Sequence, residues 1–197
     1  MRNFWDERYS ATEYAYGEKP NSFMLEKLRQ LTPGKILFPA EGEGRNAVYA
    51  ATQGWEATAF DPSIEGRDKA IQLAHKHNVT IHYQIENYET VDFPKESFDC
   101  IVLIFAHIHS ENREKYHKKL ISFLKPGGHL ILEGFNKDQI SRNTGGPKNI
   151  EMLYSAEELS NDFAAFANVE IKETETLLDE GKYHNGKASV IRVTGIK

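Results

Sequence analysis

The segment Phe38 to Asn46, FPAEGEGRN, combines glycines with two carboxylates in one short loop. Gly42, Gly44 and Ala47 fit the spacing G-x-G-x-x-A, which lets a backbone turn approach a bound nucleotide closely. Asp61 ends the next apolar segment, where a carboxylate can accept hydrogen bonds from ribose hydroxyls. The spacing therefore predicts a site for a ligand that contains a nucleoside.

The two acidic residues of this loop, Glu41 and Glu43, discriminate between nucleotide classes. A dinucleotide places its pyrophosphate at the N-terminus of the first helix, and a carboxylate about 6 Å from a phosphate charge costs roughly 3 kcal/mol at an effective dielectric constant of about 20. S-adenosylmethionine has an adenosine but no phosphate, and its sulfonium and ammonium groups are positive. The acidic loop favours this methyl donor over a nicotinamide dinucleotide, although Asp61 suits both.

Histidines supply the candidate bases. His107 and His109 follow an apolar segment in FAHIHS, and an imidazole titrates near neutral pH. We predict that His107 acts near the methyl group when the acceptor is a hydroxyl or an amine, because a thiolate, selenite or tellurite needs no base. His184, close to Glu180, could border the acceptor pocket, but a turn role is the simpler interpretation. No metal-ligand spacing such as H-E-x-x-H occurs, and we expect no metal.

Alternating strands and helices have to position these residues. Apolar strands separated by helices are typical of a mainly parallel sheet covered on both faces. We predict a helix over 22–31 before the first strand, a polar loop over 136–150 near the acceptor site, and a helix over 155–163. Two alternating segments joined by turn residues then predict an antiparallel hairpin. The strands are KILFPA, EATAFD, VTIHYQI, FDCIVLIF and HLILEGF, and the hairpin segments are NVEIKETETLL and ASVIRVTGIK.

Composition limits the class of protein. The 197 residues, 40% of them hydrophobic, suffice for one domain, which we predict to span 1–197. A formal charge of -5 gives no general attraction for nucleic acid. There is no run of about 18 apolar residues and no secretory signal, so we expect no membrane segment and a cytoplasmic location. The single Cys100 predicts a buried, inert thiol, and the sequence is silent on oligomeric state.

Several stretches in this order and spacing resemble a class I S-adenosylmethionine-dependent methyltransferase, and within it the small bacterial enzymes related to tellurite-resistance and thiopurine methyltransferases. The resemblance implies an α/β, Rossmann-like, doubly wound and mainly parallel sheet of seven strands. It also implies the strand order 3214576, with strand seven antiparallel, and a small-molecule or oxyanion methyl acceptor. The stretches are FWDERY, YAYGEKPNSF, AEGEGRNAVYAATQGWEATAFDPS, FPKESFDCIVLIFAHI, LKPGGHLILEGF and LLDEGKYHNGKASVIRV.

The resemblance also implies roles for individual residues. The segment Ala40 to Gly44 would pass under the methionine and ribose, and Asp61 would hold the ribose hydroxyls. Gln84 and Ile85 would meet the adenine, and the aromatic arm 1–21 would cover the cofactor. The expected cofactor contacts are Tyr16, Gly17, Ala40, Glu41, Gly42, Gly44, Asn46, Asp61, Pro62, Ser63, Gln84, Ile85, Phe105, Ala106 and His107.

Three positions depart from the family pattern. Phe38 stands where many relatives have an acid, Ala40 replaces the usual first glycine, and Gln84 replaces the acid on the adenine side. Ala40 is tolerable at negative φ and costly at positive φ, and Glu41 could take over the ammonium contact that Phe38 cannot make. Two alternatives stay open: a nicotinamide-dependent oxidoreductase, and a module that binds S-adenosylmethionine without catalysis.

Overall fold

A computed structural model describes the backbone of residues 2–197 and the side chains from residue 4 onward. The strands are β1 Lys35–Pro39, β2 Glu56–Phe60, β3 His82–Gln84, β4 Phe98–Ile104, β5 Leu124–Phe135, β6 Asn168–Glu180 and β7 His184–Ile196. They form one seven-stranded sheet in the order β3-β2-β1-β4-β5-β7-β6. Strand β7 is antiparallel to β5 and β6, and the other pairs are parallel. The predicted fold class, strand order and antiparallel strand are confirmed.

Helices cover both faces of this sheet. They are α1 Arg2–Tyr9, α2 Ser22–Leu28, α3 Arg45–Thr52, α4 Ile64–Lys76, α5 Ser110–Phe123 and α6 Ala156–Asp162, with 3₁₀ helices at Lys137–Ser141 and Ile150–Met152. Side chains cap the N-termini of α2, α4 and α6, and Ser155 with Glu158 forms the predicted capping box. Within the described range, every helix is too short or too polar to span a bilayer.

Several segments differ from the sequence-based expectation. The predicted loop 136–150 contains the 3₁₀ helix Lys137–Ser141, β3 is shorter than predicted, and the hairpin strands β6 and β7 respectively end and begin closer to their turn. Helix α2 ends at Leu28 rather than near residue 31, because Gln30 and Leu31 donate to carbonyls only three residues back and the chain tightens before Pro33. Strand β5 starts at Leu124, before the glycine pair expected to precede it. A register shift between Phe98 and Cys100 of β4 accommodates the extra residues of β5 as a bulge.

The first strand separates two hydrophobic layers. Ile36 and Phe38 are buried on one side together with residues of α2, α3 and α4, whereas Leu37 points to the side of α5 and α6. Burial of a side chain of this size contributes about 1.5–3 kcal/mol. Phe38, which departs from the family pattern, is therefore a core residue with no exposed surface. Its burial fixes β1, and the carboxyl end of this strand leads into the acidic loop.

Candidate functional site

The loop between β1 and α3 turns sharply through three residues with positive φ: Ala40 at 51°, Gly42 at 62° and Gly44 at 85°. A Cβ atom on Gly44 would lie 2.5 Å from the Cβ of Ala70 in α4, so this position requires glycine. Ala40 adopts the left-handed conformation, which costs an L-residue about 1–2 kcal/mol. The replacement of the first glycine by alanine therefore introduces backbone strain at the floor of the crevice.

Glu41 closes the N-terminus of α3. Its Oε1 atom accepts hydrogen bonds from the backbone N–H groups of Asn46 and Ala47, both at 2.8 Å. Burial raises the pKa of Glu41 to about 7 against the lowering effect of these bonds. The place where a dinucleotide would put its pyrophosphate is thus taken by a protein carboxylate. Because this carboxylate is committed to the helix, the structure does not favour the alternative role of Glu41 as the ammonium partner.

Glu43 turns away from the crevice and fixes the N-terminal arm. Its Oε1 atom pairs with Nζ of Lys69 at 2.7 Å, and its Oε2 atom accepts from the N–H of Ala15 at 2.8 Å. The side chains of Glu43 and Lys69 are both nearly buried. The negative charge of Glu43 is therefore balanced within the protein, and the electrostatic argument against a phosphate depends on Glu41 alone.

Asp61 joins the end of β2 to the glycine loop. Its Oδ1 atom accepts from the N–H of Ser63 at 2.9 Å, and its Oδ2 atom accepts from the N–H of Gly42 at 3.3 Å. Burial raises the pKa of Asp61 to about 6, although both N–H groups oppose the shift. The hydroxyl of Tyr9 lies beside this pair, since a Cβ atom on Gly42 would be 2.5 Å from it. Asp61 and Gly42 are thereby close to helix α1 of the N-terminal arm.

Helix α1 of the arm is attached to the start of α4. Asp6 accepts hydrogen bonds from the hydroxyl of Ser63 at 2.6 Å and from the N–H of Ile64 at 3.0 Å. Ser63 itself caps α4 by accepting from Gly66. The rings of Trp5 and Tyr9 stack 5.5 Å apart on the adjoining surface of α1. Ser63, expected as a cofactor contact, is therefore committed to holding two helices together, and Pro62 is half-buried in the same turn.

The resemblance implies an adenine contact at the end of β3. The carbonyl of Gln84 accepts from the N–H of Asp61 at 3.2 Å, which sets the end of β3 beside the end of β2. The side chain of Gln84 is exposed and Ile85 is half-buried. Both residues thus stand next to Asp61, where the sequence predicts them, with their side chains available to a ligand.

Four rings form a cluster where β4 and β5 end, which we call the mouth cluster: Tyr16, Phe105, Phe135 and His184. The centroid of the His184 ring lies 4.5 Å from Tyr16, 4.5 Å from Phe105 and 5.1 Å from Phe135. Phe105 has a positive φ of 51° and donates its N–H to the carbonyl of Glu133, which turns its ring towards His184. The hairpin of β6 and β7 therefore delivers His184 to the site.

His184 is paired with a carboxylate. Its Nδ1 atom lies 3.3 Å from Oε2 of Glu180, and the same oxygen accepts from Nη2 of Arg45 at 2.8 Å. Burial raises the pKa of Glu180, but the bonds to His184 and Arg45 outweigh burial and lower the pKa to about 2. Burial lowers the pKa of His184. An ionised Glu180 requires the proton of neutral His184 on Nδ1, so Nε2 carries the lone pair.

His107, the predicted base, has both ring nitrogens engaged. Its Nε2 atom accepts from the N–H of Phe135 at 3.1 Å, so its Nδ1 atom donates to the carbonyl of Met152 at 2.7 Å. Burial lowers the pKa of His107 to about 4. This geometry favours a structural role, joining β5 to a 3₁₀ helix. Ala106 beside it is buried, and its carbonyl accepts from the hydroxyl of Tyr154. Across residues 4–197, no group of three or more side chains with metal-binding geometry is present.

Asn21 is a connecting residue that the sequence analysis did not identify. Its Nδ2 atom donates to Glu133 at 2.6 Å and to Glu180 at 3.0 Å, and its N–H donates to Oδ1 of Asn46. The turn of the arm at Gly17 also packs on the hairpin turn: a Cβ atom added to Gly17 would lie 3.7 Å from the backbone nitrogen of Gly181. The only sequence signal was the helix-capping position of Asn21, because its long-range partners depend on tertiary approach.

Comparison with known proteins finds methyltransferases among the similar sequences. Residues 36–128 match the model of a family described as a methyltransferase domain. The ubiquinone biosynthesis O-methyltransferase of Rickettsia bellii is 24% identical over 120 residues, which cover 59% of this chain and 50% of that protein. The chain therefore spans about half the length of the curated relatives that it matches.

Solved structures share the fold. TehB from Haemophilus influenzae superimposes with a TM-score of 0.75 at 16% identity, covering 100% of this chain and 66% of that chain. Phosphoethanolamine N-methyltransferase 2 from Haemonchus contortus, solved with phosphomonomethylethanolamine and S-adenosylhomocysteine, gives a TM-score of 0.72 at 16% identity and covers 98% of this chain and 57% of that one. At this level of identity the likeness establishes the fold.

Proposed function

We propose that this chain is a class I S-adenosylmethionine-dependent methyltransferase, and that it transfers a methyl group from that cofactor to a small-molecule or oxyanion acceptor; the similarity to methyltransferases supports this proposal. The observation that carries the proposal is the double hydrogen bond from the first turn of α3 to Glu41. Glu41 takes up the two helix N–H groups that a phosphate would need, and its carboxyl group is compatible with a positive ligand. The crevice therefore suits S-adenosylmethionine and argues against the nicotinamide alternative.

The residues around the crevice fit this cofactor. Asp61 has the acceptor oxygens for two hydroxyls, and Gln84 and Ile85 stand beside it for the adenine. The aromatic faces of the mouth cluster attract a cation such as a sulfonium. When bound, S-adenosylmethionine supplies an electrophilic methyl group on a good leaving group. The chain itself would orient the acceptor and exclude water. The arm beside Asp61 and the rings of the mouth cluster are the parts that we assign to these tasks.

His184 is the residue we assign to proton transfer in place of His107. Glu180 holds the proton of neutral His184 on Nδ1 and leaves Nε2 free to take a proton from a hydroxyl or an amine of the acceptor. A soft acceptor such as a thiolate needs no such transfer. A histidine whose Nε2 atom can accept a proton from the acceptor also favours an enzyme over a module that only binds the cofactor.

The first experiment is calorimetric titration of the protein with S-adenosylmethionine, S-adenosylhomocysteine and NADH under one condition. We expect the first two ligands to bind and NADH not to bind. An acceptor screen with thiols, selenite and tellurite, followed by phenols and amines, then uses wild-type protein and the variant His184→Gln. Loss of turnover with amines or phenols but not with thiols supports the assigned role. Binding of NADH alone would overturn the proposal.

We propose that residues 1–197 act as a single domain, with the arm over the cofactor and residues 136–150 near the acceptor. Cys100 is a buried free thiol, which is compatible with a reducing cytoplasm. The net charge of -5 supports a small acceptor rather than a nucleic acid.

A further inference from the structure

Arg8 of α1 is held by aromatic rings rather than by a carboxylate. Its Cζ atom lies 3.8 Å from the ring centroid of Tyr183 and 5.0 Å from that of Phe4, and its Nη1 atom donates to the hydroxyl of Tyr16 at 3.1 Å. Among the side chains of residues 4–197, no acidic group forms an ion pair with Arg8. A guanidinium has five N–H donors, and the hydrogen bond to Tyr16 uses one of them.

The other arginines of the site are already satisfied. Arg45 pairs with Glu180 at 2.8 Å, and Arg192 pairs with the buried carboxylate of Glu133 at 2.5 Å. Arg8 therefore differs from both in having its positive charge uncompensated by a neighbouring side chain. The rings of Tyr183 and Phe4 beside the guanidinium restrict its motion, so less conformational freedom is lost when a ligand binds.

Arg8 stands at the outer edge of the mouth cluster. Tyr16 connects the two, since its hydroxyl accepts from Arg8 and its ring lies 4.5 Å from that of His184. His184 in turn contacts Phe105 at the end of β4. A ligand that lies between the end of β4 and the arm thus has Arg8 at one end.

We propose that Arg8 binds an anionic group of the ligand, a carboxylate or an oxyanion, through the planar fork of its guanidinium. This inference rests on the proposed function. The anion has two possible sources, which share this chemistry: the carboxylate of the methionine moiety of the cofactor, and an anionic acceptor.

The test compares Arg8→Met with Arg67→Met, a control that removes the same charge from the surface of α4, where Arg67 pairs with Asp68. Calorimetry measures the binding of S-adenosylhomocysteine and of its analogue without the carboxylate. If the cofactor is the source, we expect Arg8→Met to weaken S-adenosylhomocysteine about 10-fold to 100-fold and to leave the analogue unchanged.

If the acceptor is the source, both cofactor ligands keep their affinity in Arg8→Met. The KM of an anionic thiol carrying a carboxylate then rises about tenfold or more, while the KM of a neutral thiol stays constant. Equal weakening of all ligands would identify Arg8 as a structural link between arm and hairpin and would overturn the inference, as would no change relative to Arg67→Met.

Two controls keep the result interpretable. Thermal unfolding establishes that Arg8→Met is folded. If it is not, Arg8→Lys retains the charge without the planar fork, and we expect it to lose a smaller part of the same ligand's affinity. Failure of the wild-type protein to bind S-adenosylhomocysteine would overturn the proposed function and this inference with it, whereas normal wild-type binding with an unaffected Arg8 variant would overturn this inference alone.

Discussion

Cofactor affinity is expected to depend on pH through Asp61. Burial raises the pKa of Asp61 to about 6, above the usual value of 3.8. Ribose hydroxyls donate to the carboxylate, so the ionised form is the one that binds, and binding is linked to proton release. With a pKa of about 6, affinity falls by a factor of about 10 between about pH 8 and about pH 5.

The assay is calorimetric titration with S-adenosylhomocysteine between about pH 5 and about pH 8, in pairs of buffers with different ionisation enthalpies. Near pH 5.5 we expect about three quarters of a proton to be released, and near pH 8 almost none. The variant Asp61→Asn should bind weakly and lose this dependence. Because the pKa of Glu41 is also raised, to about 7, the variant Glu41→Gln serves as the matched control and should retain the profile of Asp61.

Constant affinity across this pH range would refute the reasoning, and so would an unchanged pH profile in Asp61→Asn. The second result would show that another group carries the proton. Without ligand, the sign of the effect is reversed: a carboxyl with a raised pKa adds stability below its folded pKa, and this contribution is lost as pH rises through about 6. The ligand-free protein should therefore gain stability from Asp61 on mild acidification.

Two further variants test the architecture around the site. The pKa of Glu180 lies about 2.5 below its usual value of 4.5, which corresponds to roughly 3 kcal/mol of stability above pH 4.5 that is lost as pH falls towards 2. Urea unfolding of Glu180→Gln should show a loss of that order near pH 7 and a smaller one near pH 3; an equal loss at both would contradict this. Gly42→Ala should cost more stability than Gly127→Ala, because both have positive φ but only Gly42 faces an obstruction, the hydroxyl of Tyr9. Adding Tyr9→Phe should recover part of the difference, because it removes the hydroxyl but leaves the ring carbon Cζ at 3.0 Å; no recovery would refute the contact.

The order of elements and the place of Asp61 could be predicted because they depend on local periodicity and on the family resemblance. The partners of buried polar groups could not. Glu43 lies in the same loop as Glu41, yet it pairs with Lys69 because α4 and the arm approach it from outside the local sequence. The different surroundings of His107 and His184 have the same origin. Hydrogen bonds from Phe135 and to Met152 occupy both nitrogens of the His107 ring, whereas the hairpin of β6 and β7 brings His184 to Phe105.

The connections of Asn21 have a consequence for the order in which the site forms during synthesis. This residue precedes α2, but it bonds to Glu133 of β5 and to Glu180 at the end of β6. The glycine loop and Asp61 leave the ribosome well before the hairpin that supplies Glu180 and His184. Contacts between residues so far apart in sequence form late, because the intervening chain has to be ordered first. A nascent chain can therefore complete the floor of the crevice before the hairpin emerges, but it cannot complete the mouth.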